Sequence, residues 1–206
     1  MDVKDSFTRI RQERDAEHQR HVEQRRAQAM AMSRRRQQLD EVQRDLVSLF
    51  TAPNPHRRGK LFESVLNRLF AAEGILIREA FTLVGDEGQG VVEQIDGAIE
   101  LDGDVYLVEA KWLADPLGPG ETAQHLVRVY SRGDVRGLFI SASGYTEAAV
   151  MGHRQALTQK VVVLCAVREL VLLLEQSGDL KRFLKEKVKA AALDRNPYYQ
   201  PEGTVA

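Results

Sequence analysis

Asp96, Glu109 and Lys111 are the residues of this chain whose types and spacing could do chemistry together. Between the two acids lies Asp102-Gly103, a dipeptide that favours the two-residue turn of a β-hairpin because both positions tolerate positive φ. If those residues form the turn, Leu101 pairs with Asp104. Counting back along both strands then sets Asp96 opposite Glu109 and Gln94 opposite Lys111. Side chains alternate across a strand, so Glu109 and Lys111 share a face, and directly opposed residues stand about 4.5–5.5 Å apart at Cβ. Ile95, Ile99, Leu101, Tyr106, Val108, Ala110 and Trp112 fall on the other face. Two facing carboxylates repel each other unless a positive charge lies between them. A hard divalent cation fits that gap: Mg²⁺ takes oxygen ligands, keeps several waters and is held by one or two carboxylates plus a substrate phosphate. Mn²⁺ is expected to substitute. Phosphodiester hydrolysis is the natural task for such a group, with Lys111 placed to orient a water or to steady developing negative charge.

The elements that must position this group can be read from periodicity. Residues 1–50 contain no Gly or Pro and are dense in Arg, Gln and Glu, which predicts one long solvated helix. Its last part carries Leu39, Val42, Leu46 and Leu49 at a spacing of three and four, a narrow apolar stripe suited to a coiled coil or to docking on a domain. Self-association or partner docking through this stripe is expected, giving a homodimer or larger assembly. Arg34, Arg35 and Arg36 offer a lesser candidate for a DNA-contacting arm. The two prolines of Thr51-Ala-Pro-Asn-Pro-His break the helix. The expected organisation is therefore a helical segment 1–50, a linker 51–58, a catalytic domain 59–195 and a flexible tail 196–206. From Gly59 an amphipathic helix runs to Gly74, with Leu61, Phe62, Val65, Leu66, Leu69 and Phe70 on its apolar side and Glu63 on its polar side. Strands follow at 75–84, 91–101 and 105–112, then helix, strand, helix, strand and a helical end, an αβββαβαβα order.

With the residues placed in this way, Asp96 followed after a hairpin by Glu109-Ala110-Lys111 resembles the PD-(D/E)xK nuclease superfamily. The segments Gly59-Lys60-Leu61-Phe62-Glu63, Gln94-Ile95-Asp96-Gly97, Leu107-Val108-Glu109-Ala110-Lys111-Trp112, Gly137-Leu138-Phe139-Ile140-Ser141 and Gly144-Tyr145-Thr146-Glu147-Ala148-Ala149 resemble its Mrr-like restriction endonuclease branch in order and spacing, over about residues 57–167. The resemblance implies an α/β fold with a restriction-endonuclease-like αβββαβ core. It also implies DNA cleavage with Mg²⁺, Asp96 and Glu109 as metal ligands with Ala110 beside them, and Lys111 as the catalytic lysine. Glu63 matches an acid that many members carry on the first helix, near a second metal or a metal-bound water. Two departures stand out: Ile95 occupies the place of the superfamily's nominal Pro, and Glu109 stands where Mrr-like members often have Gln. Gln124 and Tyr130 are too far apart for the motif of RecB-like exonucleases, which leans towards an endonuclease.

Arg57, Arg58 and Lys60 begin the helix that bears Glu63, so contacts with DNA phosphates are expected there. Lys and Arg total 29 against 30 Asp and Glu, so DNA must be met by a local basic face of this kind and not by the molecule's overall charge. His56, His125 and His153 lack zinc-ligand spacing, and Cys165 in Val161-Val-Val-Leu-Cys-Ala-Val reads as a buried inert thiol. Gly85 to Gly90 carries two acids and no Lys, the wrong sign for a phosphate cradle, and is expected to pass over the mouth of the active site. One cysteine and no apolar run near 20 residues argue against a disulfide scaffold or a membrane span. A cytoplasmic, prokaryotic protein is expected. Defence against foreign DNA is the leading role, with a junction-resolving or repair nuclease, or a catalytically idle DNA-binding adaptor, as the alternatives.

Overall fold

The sheet is built outwards from the hairpin. Asp102 and Gly103 have φ of 54° and 84°, the pair of left-handed residues that a tight turn of the strands' own twist requires. This fixes the antiparallel pairing of β2 (Val91–Leu101) with β3 (Asp104–Lys111), from Leu101 opposite Asp104 to Gly97 opposite Val108. β1 (Leu76–Val84) pairs antiparallel with the other side of β2. α3 (Pro119–Tyr130) carries the chain over to β4 (Val135–Ser141), parallel to β3, and α4 (Glu147–Ala156) leads to β5 (Val162–Ala166), parallel to β4. The five strands lie in the order β1-β2-β3-β4-β5, so β3 is central. α5 (Val167–Glu175) and α6 (Leu180–Asp194) complete the α/β fold, which carries the expected αβββαβ order and the long N-terminal helix. This computed structural model describes residues 3–84 and 91–201. The expected passage of Gly85 to Gly90 over the site lies outside the described residues.

α1 (Val3–Leu49) and α2 (Pro55–Ala72) show how sequence becomes boundary. The end of α1 tightens into bonds of three-residue span, Phe50 N to Val47 O and Ala52 N to Leu49 O, just before Pro53. Asn54 then caps α2 by accepting from Arg57 N at 3.0 Å, and Pro55 sits at the first helical position, where its missing N–H costs nothing. The helix thus starts at Pro55 and not at Gly59, and residues 55–58 of the expected linker are its first turn. Gly74, at φ 66°, ends it as anticipated.

Met1–Gln38 and Leu39–Ala206 form two separate compact units. In the first, the described positions are overwhelmingly exposed; Met32 is 75% exposed and Arg34 to Arg36 face solvent. In the second, the stripe is not free for self-association. Val42, Leu46 and Leu49 are buried in one continuous core with Phe62, Leu66 and Phe70 of α2, and Leu39 packs against it. The expectation of dimerisation through these residues is overturned, because their apolar area is already covered within the chain. The core continues under one face of the sheet through Ile99, Val108, Ile140 and Cys165, while Leu117, Phe139 and Leu164 form a smaller cluster on the other face.

The expected flexible tail, 196–206, needs correction over residues 196–201; its last five residues lie outside the described residues. Pro197 O accepts from Leu164 N of β5 at 2.8 Å, Tyr198 meets Tyr145 edge to face, and Pro201 is buried. Lys187 of α6, wholly buried, pairs with Glu169 at 2.7 Å and donates to Leu164 O and Tyr199 O. A buried lysine needs all of these partners. The tail supplies one of them, which is why residues 196–201 are ordered against the domain.

Leu46→Ala is expected to lower stability by about 2–5 kcal/mol, the usual cost of emptying a filled core position, whereas Met32→Ala should change it by less than about 0.5 kcal/mol. Urea unfolding of the two variants checks this, and equal midpoints would contradict the placement of the stripe in the core.

Candidate functional site

Asp96, Glu109 and Lys111 come together at the end of the β2–β3 ladder. Beyond Gly97 and Val108 the paired ladder stops, and the Asp96 side chain reaches across, its Oδ2 accepting from Ala110 N at 2.9 Å. Alternation along β3 puts Glu109 and Lys111 on the face opposite Val108 and Ala110, which are in the main core. Lys111 Nζ lies 2.9 Å from Glu109 Oε1. Asn67, buried on α2 one turn beyond Glu63, donates from Nδ2 to Asp96 O at 3.2 Å and so fixes the backbone that carries the acid. Gly97 makes this approach possible, because a Cβ there would stand 2.7 Å from Asn67 Oδ1.

Asp96 is 7% exposed and Glu109 3%. Burial pushes the Asp96 carboxyl up to about 7; the charges of Glu109 and Glu63 add to the rise, and the Ala110 N–H and Lys111 oppose it. Burial raises Glu63 as well, helped by Glu109 and opposed by Lys111 and Lys60. For Lys111, burial works downward, but the hydrogen bond and charge of Glu109, together with Asp96, outweigh it and hold the ammonium above its ordinary value, against Arg128. Three acids and a lysine therefore form one electrostatic unit. Among the described residues no three His, Cys, Asp or Glu side chains close into a ready-made metal cage. A donor set of two buried, mutually repelling carboxylates suits a hard cation that keeps much of its water, and Mg²⁺ fits it better than a metal demanding a full protein shell.

Of the expected phosphate contacts, Lys60 is exposed and lines an open cleft with Glu63, Ser64, Asn67, Arg68 and Glu79. Arg57 is exposed at the start of α2. Arg58 is engaged otherwise: its Nη1 donates to Ala52 O and its guanidinium lies 5.7 Å from the Trp112 ring centroid. Cys165 is buried and its thiol is pushed well above its usual range by burial, an inert group as expected.

Sequence reasoning missed Arg128. From α3 it pairs through Nη1 with Glu109 Oε2, and its Nε lies 3.5 Å from Glu93 Oε1. Glu93, near the start of β2, lies between Arg128 and Arg132, the latter at 2.6 Å. His125 is wholly buried beside them and held neutral, its value pulled down to about 3 by burial and then by Arg128, His153 and Lys111. A signal for this was present. Thr122, His125 and Arg128 recur every three residues and are buried, while Val127 is 65% exposed, so α3 turns a polar face inward. Gly137 lets it lie close on β4, since a Cβ there would be 3.1 Å from His125 Nε2, Val129 and Val162.

An acid whose value is raised in the folded state stabilises the fold while protonated; that contribution is whole below the ordinary aspartate range and is lost as pH rises through about 7. In the presence of a chelator, the wild type should therefore lose stability relative to Asp96→Asn between roughly pH 5 and pH 8. The asparagine keeps an oxygen for the Ala110 N–H, and the difference at the upper pH should be on the order of 2 kcal/mol. Thermal melts at both pH values decide it, and parallel profiles for the two proteins would refute the buried repulsion.

Residues 57–174, from α2 into α5, match the Mrr_cat family, described as restriction endonuclease. Among solved structures, a protein of unknown function, AF1548, is similar at 19% identity and TM-score 0.41, over 63% of this chain and 77% of that one. The MspJI restriction endonuclease in complex with a 27-mer oligonucleotide is similar at 20% identity and TM-score 0.36, over 70% of this chain and 35% of that one. No curated protein matches. The family match covers more than half of the chain and includes the hairpin, Asp96, Glu109 and Lys111, as the motif resemblance anticipated: the chain belongs to the Mrr_cat restriction endonuclease family and carries a restriction-endonuclease-like nuclease domain.

Proposed function

We propose that this protein is a Mg²⁺-dependent DNA endonuclease that hydrolyses phosphodiester bonds, with Mn²⁺ able to substitute, and that its role is defence against foreign DNA. The observation that carries the reading is the buried repulsion between Asp96 and Glu109 with the Lys111 ammonium 2.9 Å from Glu109. Asp96 and Glu109 would hold the ion, with the main chain of Ala110 beside them and Glu63 coupled to both. When bound, the ion supplies a more acidic water and neutralises charge on the phosphate. Lys111 is a compact point charge that orients the attacking water or binds the oxygen on which charge grows. Asn67 and the Ala110 N–H hold Asp96 in place while this happens. Arg57 and Lys60, both exposed at the start of α2, bind backbone phosphates on the side of Glu63.

A second reading, a catalytically idle DNA-binding adaptor, has one observation in its favour: Lys111 and Arg128 between them engage both oxygens of Glu109. Cutting both strands of a duplex needs two active sites or one that acts twice. Because the stripe from Leu39 to Leu49 is covered within the chain, any pairing of protomers would use another surface.

Purified protein incubated with supercoiled, linear, methylated and branched DNA, with Mg²⁺, Mn²⁺ or a chelator, separates these readings. Metal-dependent nicking or linearisation supports the endonuclease, selective cutting of branched DNA supports a junction-resolving enzyme, and binding without cleavage supports the adaptor. Lys111→Ala should reduce cleavage by about 10²–10³-fold or more in a protein that stays folded and keeps nearly unchanged DNA affinity. A Lys111→Ala protein that cuts at the wild-type rate would sink the mechanism. Replacing both Arg57 and Lys60 with Ala should weaken binding to all sequences alike and reduce the slope of log affinity against log salt by about 2. An unchanged slope in fluorescence anisotropy would move the phosphate contacts elsewhere.

A further inference from the structure

We infer that Arg128 is a positioning residue that fixes the Glu109 carboxylate so that one of its oxygens is left for the metal ion, and that Glu93 and Arg132 hold Arg128 in place. This rests on the metal-dependent reading of the site.

The two cations on Glu109 are not equivalent. Lys111 meets Oε1 from a side chain 40% exposed, on a flexible stem with a single rotatable ammonium, and can release that oxygen at little cost. Arg128 meets Oε2 from a side chain 10% exposed, and at its other edge Nε lies 3.5 Å from Glu93 Oε1; Glu93 is itself held by Arg132, Nη1 on Oε1 at 3.2 Å and Nη2 on Oε2 at 2.6 Å. Arg132 Nη1 also donates to Arg128 O at 2.8 Å, closing the assembly on α3 itself. A planar guanidinium can bridge two carboxylates in this way, whereas a lysine in its place could serve only one. Of the two oxygens, Oε2 is therefore kept by the protein and Oε1 is the one that can be exchanged. Outer partners raise metal affinity by orienting a ligand, and a cationic one must do so against its own repulsion of the ion.

The sign of the effect makes the inference testable. If Arg128 acted only through its charge, it would repel the ion, and its removal would tighten metal binding. If it positions Glu109, its removal lets the carboxylate turn and weakens metal binding. Mn²⁺ binding to the full chain is measured by calorimetry, without DNA, for wild type, Arg128→Gln, Arg128→Lys and Arg132→Gln, at a temperature where melts show each to be folded. Weakening by about 10–100-fold in Arg128→Gln and Arg132→Gln, not rescued by Arg128→Lys, is the expected result. Should Arg128→Gln fail to fold, Arg132→Gln decides the matter, because it keeps the Arg128–Glu109 pair and frees Glu93, and the loss of its positive charge alone would tighten metal binding. Variants that bind Mn²⁺ as tightly as wild type, or more tightly, overturn the inference and leave the metal reading intact. A wild-type chain that binds no Mn²⁺ overturns the metal reading, and this inference with it.

Discussion

Two carboxylates withdrawn from water at the open end of a hairpin are the constraint around which this molecule is arranged. Neither Asp96 nor Glu109 would be stable there alone, and each nearby feature answers to their charge. The Ala110 N–H meets Asp96, the Asn67 amide holds the backbone behind it, and Lys111 and Arg128 share Glu109. Even the glycines fit this account, since Gly97 admits Asn67 and Gly137 admits the polar face of α3. Burying like charges is costly, and the donors and cations gathered round the two acids offset that cost.

The parts legible in the sequence were those governed by short-range rules. The Asp102-Gly103 turn set the register of β2 on β3 because its φ values admit little else, and register alone brought Asp96, Glu109 and Lys111 to one side. The apolar period of α2 and its stop at Gly74 were likewise local. What escaped were pairings between elements far apart in the chain. The recurrence of Thr122, His125 and Arg128 turns Arg128 inward but does not name Glu109, 19 residues before it, as the partner, and Glu93 on a strand end looks like any solvated acid. An apolar stripe such as Val42, Leu46 and Leu49 announces that something covers it but not what, and here the chain's own core does so. Lys187 and Glu169 are of the same kind: two ordinary charged residues in helices whose burial together no helical period reveals.

The segment 196–201 also bears on how copies of the molecule meet. A sheet presents unpaired donors and acceptors along its outer strands, and such edges invite a strand from another molecule. At the β5 edge, the Leu164 N–H that would begin such a ladder is taken by Pro197 O, from a residue that has no N–H of its own to pass the pattern on. The buried lysine beneath fastens the same segment through Tyr199 O. Residues 196–201 thus act as a stopper that terminates the sheet on that side without extending it. An edge closed in this way resists templating by a strand from another molecule.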